Sequence, residues 1–206
     1  MAELLLKIAP SDLLSLETAA LRSPLLDLFC QGAYQEGDFV LTSGQRSTYY
    51  INGKLVTLHP QGALLVGRLL LDRVPVETTA VAGLTLGADP LVTAVSLVGL
   101  QGDRPLFPLI IRKEAKGHGT RAYIEGVTLP PGSAVTVLED VVTTGQSALK
   151  AVDRLQAAGY QVNQILALVD RQQGGAELYQ SHSLPFNALF TIQDIQAHWA
   201  TLHSAE

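Results

Sequence analysis

The sequence predicts an α/β fold, a mainly parallel central sheet flanked by helices. Short apolar runs at residues 80–82, 106–111, 134–138 and 165–169 alternate with helical periodicity at 90–100 and 148–158. That alternation suits a parallel sheet, because each crossover must carry a helix back over a face of the sheet. The runs themselves are dominated by Val, Ile, Leu and Ala, as strands covered on both sides require. With 206 residues, 47% hydrophobic and only 16% charged, the chain can bury the core of one such unit, so a single domain over residues 1–206 is expected.

The elements follow in order. Ser23-Pro24 opens a helix whose Leu25, Leu28 and Phe29 share a face, with Ser as cap, Pro in the first turn and Gly32 as its end. Residues 39–41 and 48–51 flank "TSGQRS" and read as a hairpin ahead of the main sheet. Pro60 opens a helix through Leu64, Leu65 and Leu69 that stops near Arg73. The next, after Asp89-Pro90, places Leu91, Ala94, Val95 and Val98 on one side, with Asp89 as candidate cap. In an open α/β sheet, ligands sit beyond the carboxyl ends of the strands, so the loops at 83–88, 112–121 and 139–147 should converge over one pocket. After Ile192 the pattern gives little, and Trp199 reads as a packing residue.

Composition excludes several function classes. A formal net charge of −5 disfavours non-specific attraction to nucleic acid or anionic lipid, so neither is an expected partner. No apolar window is long enough to span a bilayer, and "MAELLLKIAPSD" lacks the basic start of a secretory signal. One cysteine, Cys30, forbids an internal disulfide and fits a reducing cytoplasm, and it reads as a small buried hydrophobe on a helix. Neither GxxxxGK[ST] nor a strand followed by GxGxxG occurs.

The most informative segment is "VTVLEDVVTTGQS", residues 135–147. An apolar strand ends at Glu139 and Asp140, adjacent acids that are costly there without hydroxyl or cation partners. Thr143, Thr144, Gly145, Gln146 and Ser147 then offer hydroxyls and backbone N–H groups able to curl around an anion, with a helix N-terminus behind them. Vicinal hydroxyls for the acids and a monophosphate for the loop together describe ribose 5-phosphate. A plain acidic loop cap is the alternative. One strand earlier, "RKEAKGHGTR" sets Arg112, Lys113, Lys116 and Arg121 against Glu114, with His118 between Gly117 and Gly119. Such a cationic flap could close over a diphosphate and exclude water, or it could be a solvated basic loop. "GLTLGADP" is a second turn able to approach a phosphate. "ALVDRQQGG" ends a strand at Asp170 and Arg171, where the guanidinium could recognise a carboxylate or a ring carbonyl, or pair with Asp170.

Taken together, "LEDVVTTGQS" resembles the 5-phosphoribosyl 1-diphosphate (PRPP) motif of type I phosphoribosyltransferases. "RKEAKGHG" resembles the mobile catalytic loop of the orotate phosphoribosyltransferase family, as "DFVLTSGQRSTYYING" and "LVDRQ" resemble its hairpin and orotate-contacting strand end. The likeness spans roughly residues 37–174. It implies the type I phosphoribosyltransferase fold, in which residues from about 1–58 contribute helices and a small hood built on the hairpin. It implies transfer of ribose 5-phosphate from PRPP to orotate with Mg2+ as cofactor, in a homodimer whose Lys113 reaches across subunits. By the same resemblance Arg112, Lys113, Lys116 and His118 hold the diphosphate, with Lys116 the main catalytic lysine. Glu139 and Asp140, the latter also catalytic, take the ribose hydroxyls and the hydrated metal shell, with no direct protein ligand to the metal. Val141, Val142, Thr143, Thr144, Gly145, Gln146 and Ser147 complete the PRPP site, and Thr143 and Arg171 contact orotate. Tyr49 and Tyr50 fall in the aromatic part of the hairpin. Some enterobacterial-type members carry Lys where this chain has Thr42, and Tyr-Lys where it has Leu86 and Gly87; other branches tolerate small residues at both places. Two rival readings are a transferase for another base, against which the flap speaks, and a PRPP-sensing regulator, against which the acidic composition speaks.

Overall fold

The computed structural model describes residues 9–40, 46–116 and 123–204. A six-stranded sheet runs in the order β5-β4-β3-β6-β7-β8. Its strands are β3 (Ala80–Leu84), β4 (Phe107–Ile111), β5 (Ile124–Glu125), β6 (Ala134–Val142), β7 (Gln161–Asp170) and β8 (Phe186–Thr191). All neighbours pair in parallel except β4 and β5, which are antiparallel. The chain first steps outward from β3 to β4, then returns to lay β6 against the other side of β3. The loops after β3 and β6 therefore leave from adjacent strands where the order reverses, the place at which an open parallel sheet forms a crevice.

Two cores cover the sheet. On one face lie α6 (Gln146–Ala157) and α7 (Gly175–Ser181), which add Ala148, Ala151, Val152, Leu155 and Tyr179 to the sheet residues Val135 and Val137. On the other lie α1 (Pro10–Ser15), α2 (Arg22–Leu28), α4 (Pro60–Leu71), α5 (Asp89–Gln101) and α8 (Ile192–His203), which add Leu13, Leu25, Leu65, Leu91 and Ile195 to Val81 and Leu138. α3 (Lys54–Thr57) is a single turn between the hairpin and α4. The hairpin pairs β1 (Tyr34–Val40) with β2 (Arg46–Ile51), antiparallel and separate from the main sheet.

Several local readings are corrected. β6 does not stop at Leu138 but continues through Glu139 and Asp140 to Val142, because the ladder to β7 still pairs Val142 with Asp170. Ser23 is not a cap: α2 begins at Arg22 straight from a 3-10 turn over Thr18–Leu21. Gly32 does not end that helix, which passes into a π-helical turn, Phe29–Ala33, holding the buried Cys30. Asp89 does not cap α5; it lies inside the first turn, where its Oδ2 accepts from Thr85 Oγ1 at 2.8 Å. The C-terminal stretch forms β8 and α8, joined by Thr191 and Asp194, whose side chains each accept from the other's backbone N–H in a capping box. Trp199 packs edge-on against Tyr34, with ring centroids 5.3 Å apart. No helix among the described residues is long and apolar enough to cross a membrane.

Candidate active site

Alternation along β6 places the two acids. Val135 and Val137 enter the core under α6 while Leu138 enters the opposite one, and the next two side chains continue the pattern. Glu139 lines a cavity of about 80 Å3 together with Val141, Val142, Thr143, Thr144, Gly145, Gln146, Ser147 and Tyr179. Asp140 meets Lys54, whose Nζ lies 3.7 Å from Oδ2, and the backbone of Gly87. A β-carbon on Gly87 would fall 2.4 Å from Asp140 Oδ1, so only glycine lets the loop after β3 come this close.

Both acids are nearly buried, at 7% and 8% exposure. Burial, followed by the adjacent Asp140 charge, pushes the Glu139 carboxyl up to about 8, while Lys113 and Lys54 pull it partly back. Glu139 Oε2 and the Tyr179 hydroxyl are buried without a hydrogen-bond partner among the described residues, and both face the same small cavity. An acceptor of this kind, beside a loop of hydroxyls and N–H groups, is prepared for ligand hydroxyls or a hydrated cation.

The 143–147 loop leads into α6. Gly145 takes the left-handed conformation, φ +83°, as the N-cap of α6, and Leu149 N donates to its carbonyl at 3.1 Å. Tyr179 supports it from below, its ring 2.9 Å from where a Gly145 β-carbon would be. Gly175, at the start of α7, packs on Val142 just as closely. Thr144, Gln146 and Ser147 remain exposed on the rim, with Thr143 half-buried.

The flap leaves the sheet from β4, with β3 between it and β6. β4 and β5 pair Ile110 with Glu125 and Ile111 with Ile124, and Arg112 N donates to Tyr123 O at 2.8 Å, so both ends of the flap are anchored at the sheet edge. Arg154 of α6 donates to the Arg112 and Lys113 carbonyls and lies over the Tyr123 ring, 4.0 Å from its centroid. Glu125 Oε1 takes both Arg112 Nη1 at 3.1 Å and Lys116 Nζ at 3.8 Å. Lys113 is near enough for its charge to be felt by Glu139, while Arg112 and Lys116 are held by Glu125 of β5. Gly117, His118, Gly119 and Arg121 lie outside the described residues, as does Thr42 in the hairpin tip.

Arg171 does not pair with Asp170. Asp170 Oδ1 accepts from Gln172 N at 2.8 Å, whereas Arg171 Nε donates to the Tyr49 hydroxyl at 3.0 Å with its guanidinium over the Tyr49 ring. Tyr49 in turn stacks on Tyr34, centroids 5.9 Å apart, so the hairpin aromatic serves both packing and the orientation of Arg171. Tyr50 is exposed, against Phe39. Leu86 is 70% exposed beside Gly87.

Two residues of the site escape sequence reasoning, Lys54 and Tyr179. Lys54 left a faint signal, as the one lysine between Lys7 and Lys113, directly after the hairpin. For Tyr179 nothing in the spacing marks its place under the loop.

The fold is matched among known proteins. No protein-family model matches the chain. An orotate phosphoribosyltransferase of Nostoc sp. is 66% identical over 197 residues, covering 95% of this chain and 96% of that protein. The crystal structure of Mycobacterium tuberculosis orotate phosphoribosyltransferase in complex with Fe(III) dicitrate superposes with a TM-score of 0.76 at 35% identity, covering 85% of this chain and 98% of that one. The same enzyme in complex with PRPP gives 0.70 at 30% identity, covering 85% and 92%. An acid pair and an anion loop on one strand, a cationic flap on the next but one and an oriented arginine at the rim thus occur in a chain with near full-length relatives of one activity, and the chain belongs to the orotate phosphoribosyltransferase family.

Proposed function

We propose that the chain transfers ribose 5-phosphate from PRPP to N1 of orotate, giving orotidine 5′-monophosphate and pyrophosphate, the fifth step of pyrimidine synthesis. The observation that carries this is the cavity shared by Glu139 and the 143–147 loop, with the flap's cations starting at the end of β4, the next strand but one. Thr143, Thr144, Gly145, Gln146 and Ser147, with Val141 and Val142 leading into them, hold the 5′-phosphate. Glu139 and Asp140 take the ribose hydroxyls. Thr143 and Arg171 meet orotate, the guanidinium being fixed in plane by Tyr49.

As the C1–diphosphate bond lengthens, the sugar gains oxocarbenium character and the leaving oxygens gain charge. The acids stabilise the first. Arg112, Lys113, Lys116 and His118 neutralise the second, with Lys116 carrying most of the effect once it leaves Glu125. Closure of the flap keeps out water, which would hydrolyse the activated sugar. The residues fit Mg2+: the donors are hard carboxylate oxygens, and Glu139 Oε2 is free to meet a metal-bound water. When bound with PRPP, Mg2+ supplies charge neutralisation at the diphosphate, and Glu139 and Asp140 would hold it through its waters.

We further take the chain to act as one domain with residues up to about 58 forming the hood, as a homodimer sharing Lys113, in the cytoplasm. Support for the dimer comes from a cavity of about 550 Å3 next to Lys54, lined by Leu58, Leu86 and Leu97, which are 70%, 70% and 59% exposed in the single chain.

The test follows orotate absorbance with PRPP and Mg2+, using adenine, hypoxanthine and uracil as controls. Only orotate should be consumed. Lys116→Ala should lower turnover by about 10²- to 10³-fold with the fold intact; near-normal turnover would remove Lys116 from its role.

A further inference from the structure

We propose that Lys54 is a donor-binding residue: its ammonium holds Asp140 in the free protein and meets the diphosphate of PRPP when the donor is bound. The proposal rests on the phosphoribosyl transfer argued above and adds a cation that the flap does not supply.

Its position carries the argument. α3 follows the hairpin directly, and Asn52 fixes the junction, its N–H donating to Ala33 O at 2.8 Å and its Oδ1 accepting from Lys54 N at 3.3 Å. The ammonium is thereby delivered to the Asp140 side of β6, opposite the cavity of Glu139 and Tyr179. Asp140 lies between two walls, the Lys54 ammonium toward Oδ2 and the Gly87 backbone toward Oδ1. The loop after β3 brings Thr85, Leu86, Gly87 and Ala88 to this point and contains no cation. Any anion seated on that loop next to Asp140 needs a positive charge from elsewhere, since the carboxylate alone would repel it.

Lys54 is suited to the task. Its side chain is 46% exposed and lines the opening next to Leu86 and Asp89, so it is not consumed by the core. At 3.7 Å the contact with Asp140 is loose, and a lysine ammonium has three donors on a flexible stem. It can keep one partner and add another. The charges of Lys54 and Lys113 both reach Glu139, which places them at the acid pair from two different elements, α3 and the flap base. With Asp140 buried and the ammonium nearly half exposed, the lysine can hold the carboxylate and still offer donors toward the opening.

The experiment compares wild type, Lys54→Ala and Lys54→Arg in steady-state kinetics with Mg2+-PRPP and orotate, and in calorimetric titration with inorganic pyrophosphate. Lys54→Ala should raise KM for PRPP and weaken pyrophosphate binding by about 10- to 100-fold, the size of one charge-assisted contact. KM for orotate should stay within about twofold, and Lys54→Arg should recover most of both losses, because it restores charge at similar reach. Unchanged PRPP KM and pyrophosphate affinity in a folded Lys54→Ala protein would overturn the proposal and leave Lys54 as a counter-ion only. A wild type that binds pyrophosphate but consumes no orotate would instead overturn the transfer reading, while the binding comparison still decides the role of Lys54.

Discussion

Glu139 retains its proton across a range where an exposed glutamate has lost it, since burial and then Asp140 lift its carboxyl from 4.5 to about 8. The folded chain therefore binds a proton that the unfolded chain releases, and stability fully present below about 4.5 is lost as pH rises through about 8. Each pH unit of this displacement corresponds to about 1.4 kcal/mol, so the ligand-free protein should lose on the order of a few kcal/mol over the window. Glu139→Gln removes the titration, and its melting temperature, followed by calorimetry from pH 5 to 9, should fall less than that of the wild type. At this scale the sequence was readable where chemistry-bearing residues adjoin one another, as in Glu139, Asp140 and the 143–147 loop. Lys54 and Tyr179 were not, because packing between distant segments, not spacing, brings them to the acids. Arg171 was half legible: its place at a strand end could be read, but its tie to Tyr49 depends on where the hairpin folds down.

Among the elements, the hairpin formed by β4 and β5 decides where the flap begins. Glu125 occupies Arg112 and Lys116 in the free chain and so competes with an incoming diphosphate for two cations. Each such exposed pair is worth about 0.2–1 kcal/mol. Glu125→Gln should accordingly lower KM for PRPP about two- to fivefold in initial-rate measurements. Strands and helices with strong periodicity were legible in the sequence, α4, α5 and α6 among them. Ends were not: β6 extends through two acids because its ladder with β7 satisfies the backbone irrespective of side-chain polarity. β8, "FNALFT", passes unnoticed because it is short, lies at the sheet edge and alternates burial weakly.

For the whole molecule, alternating elements announced a parallel sheet, yet nothing in the order of residues announces that β6 returns to the far side of β3. That reversal sets the two ligand loops side by side and is settled by how two cores share one sheet. The outer faces of α3 and α5 remain apolar, with Leu55, Leu58 just after α3, Leu97 and Leu100 all at least half exposed in the single chain. A second copy seated there would cover them next to Lys54. Leu58→Asp with Leu97→Asp should shift the sedimentation coefficient from dimer to monomer, and turnover should fall with it, since a shared Lys113 is lost.

Trp199 is the only tryptophan in the chain. It touches Tyr34, Tyr34 stacks on Tyr49, and Tyr49 carries the Arg171 guanidinium, so one indole stands at the far end of a row that finishes at Arg171, at the end of β7. The protein therefore contains its own optical gauge: the emission of a single fluorophore registers whether the hood is seated against the C-terminal helix, with no label attached and no second indole to blur the signal.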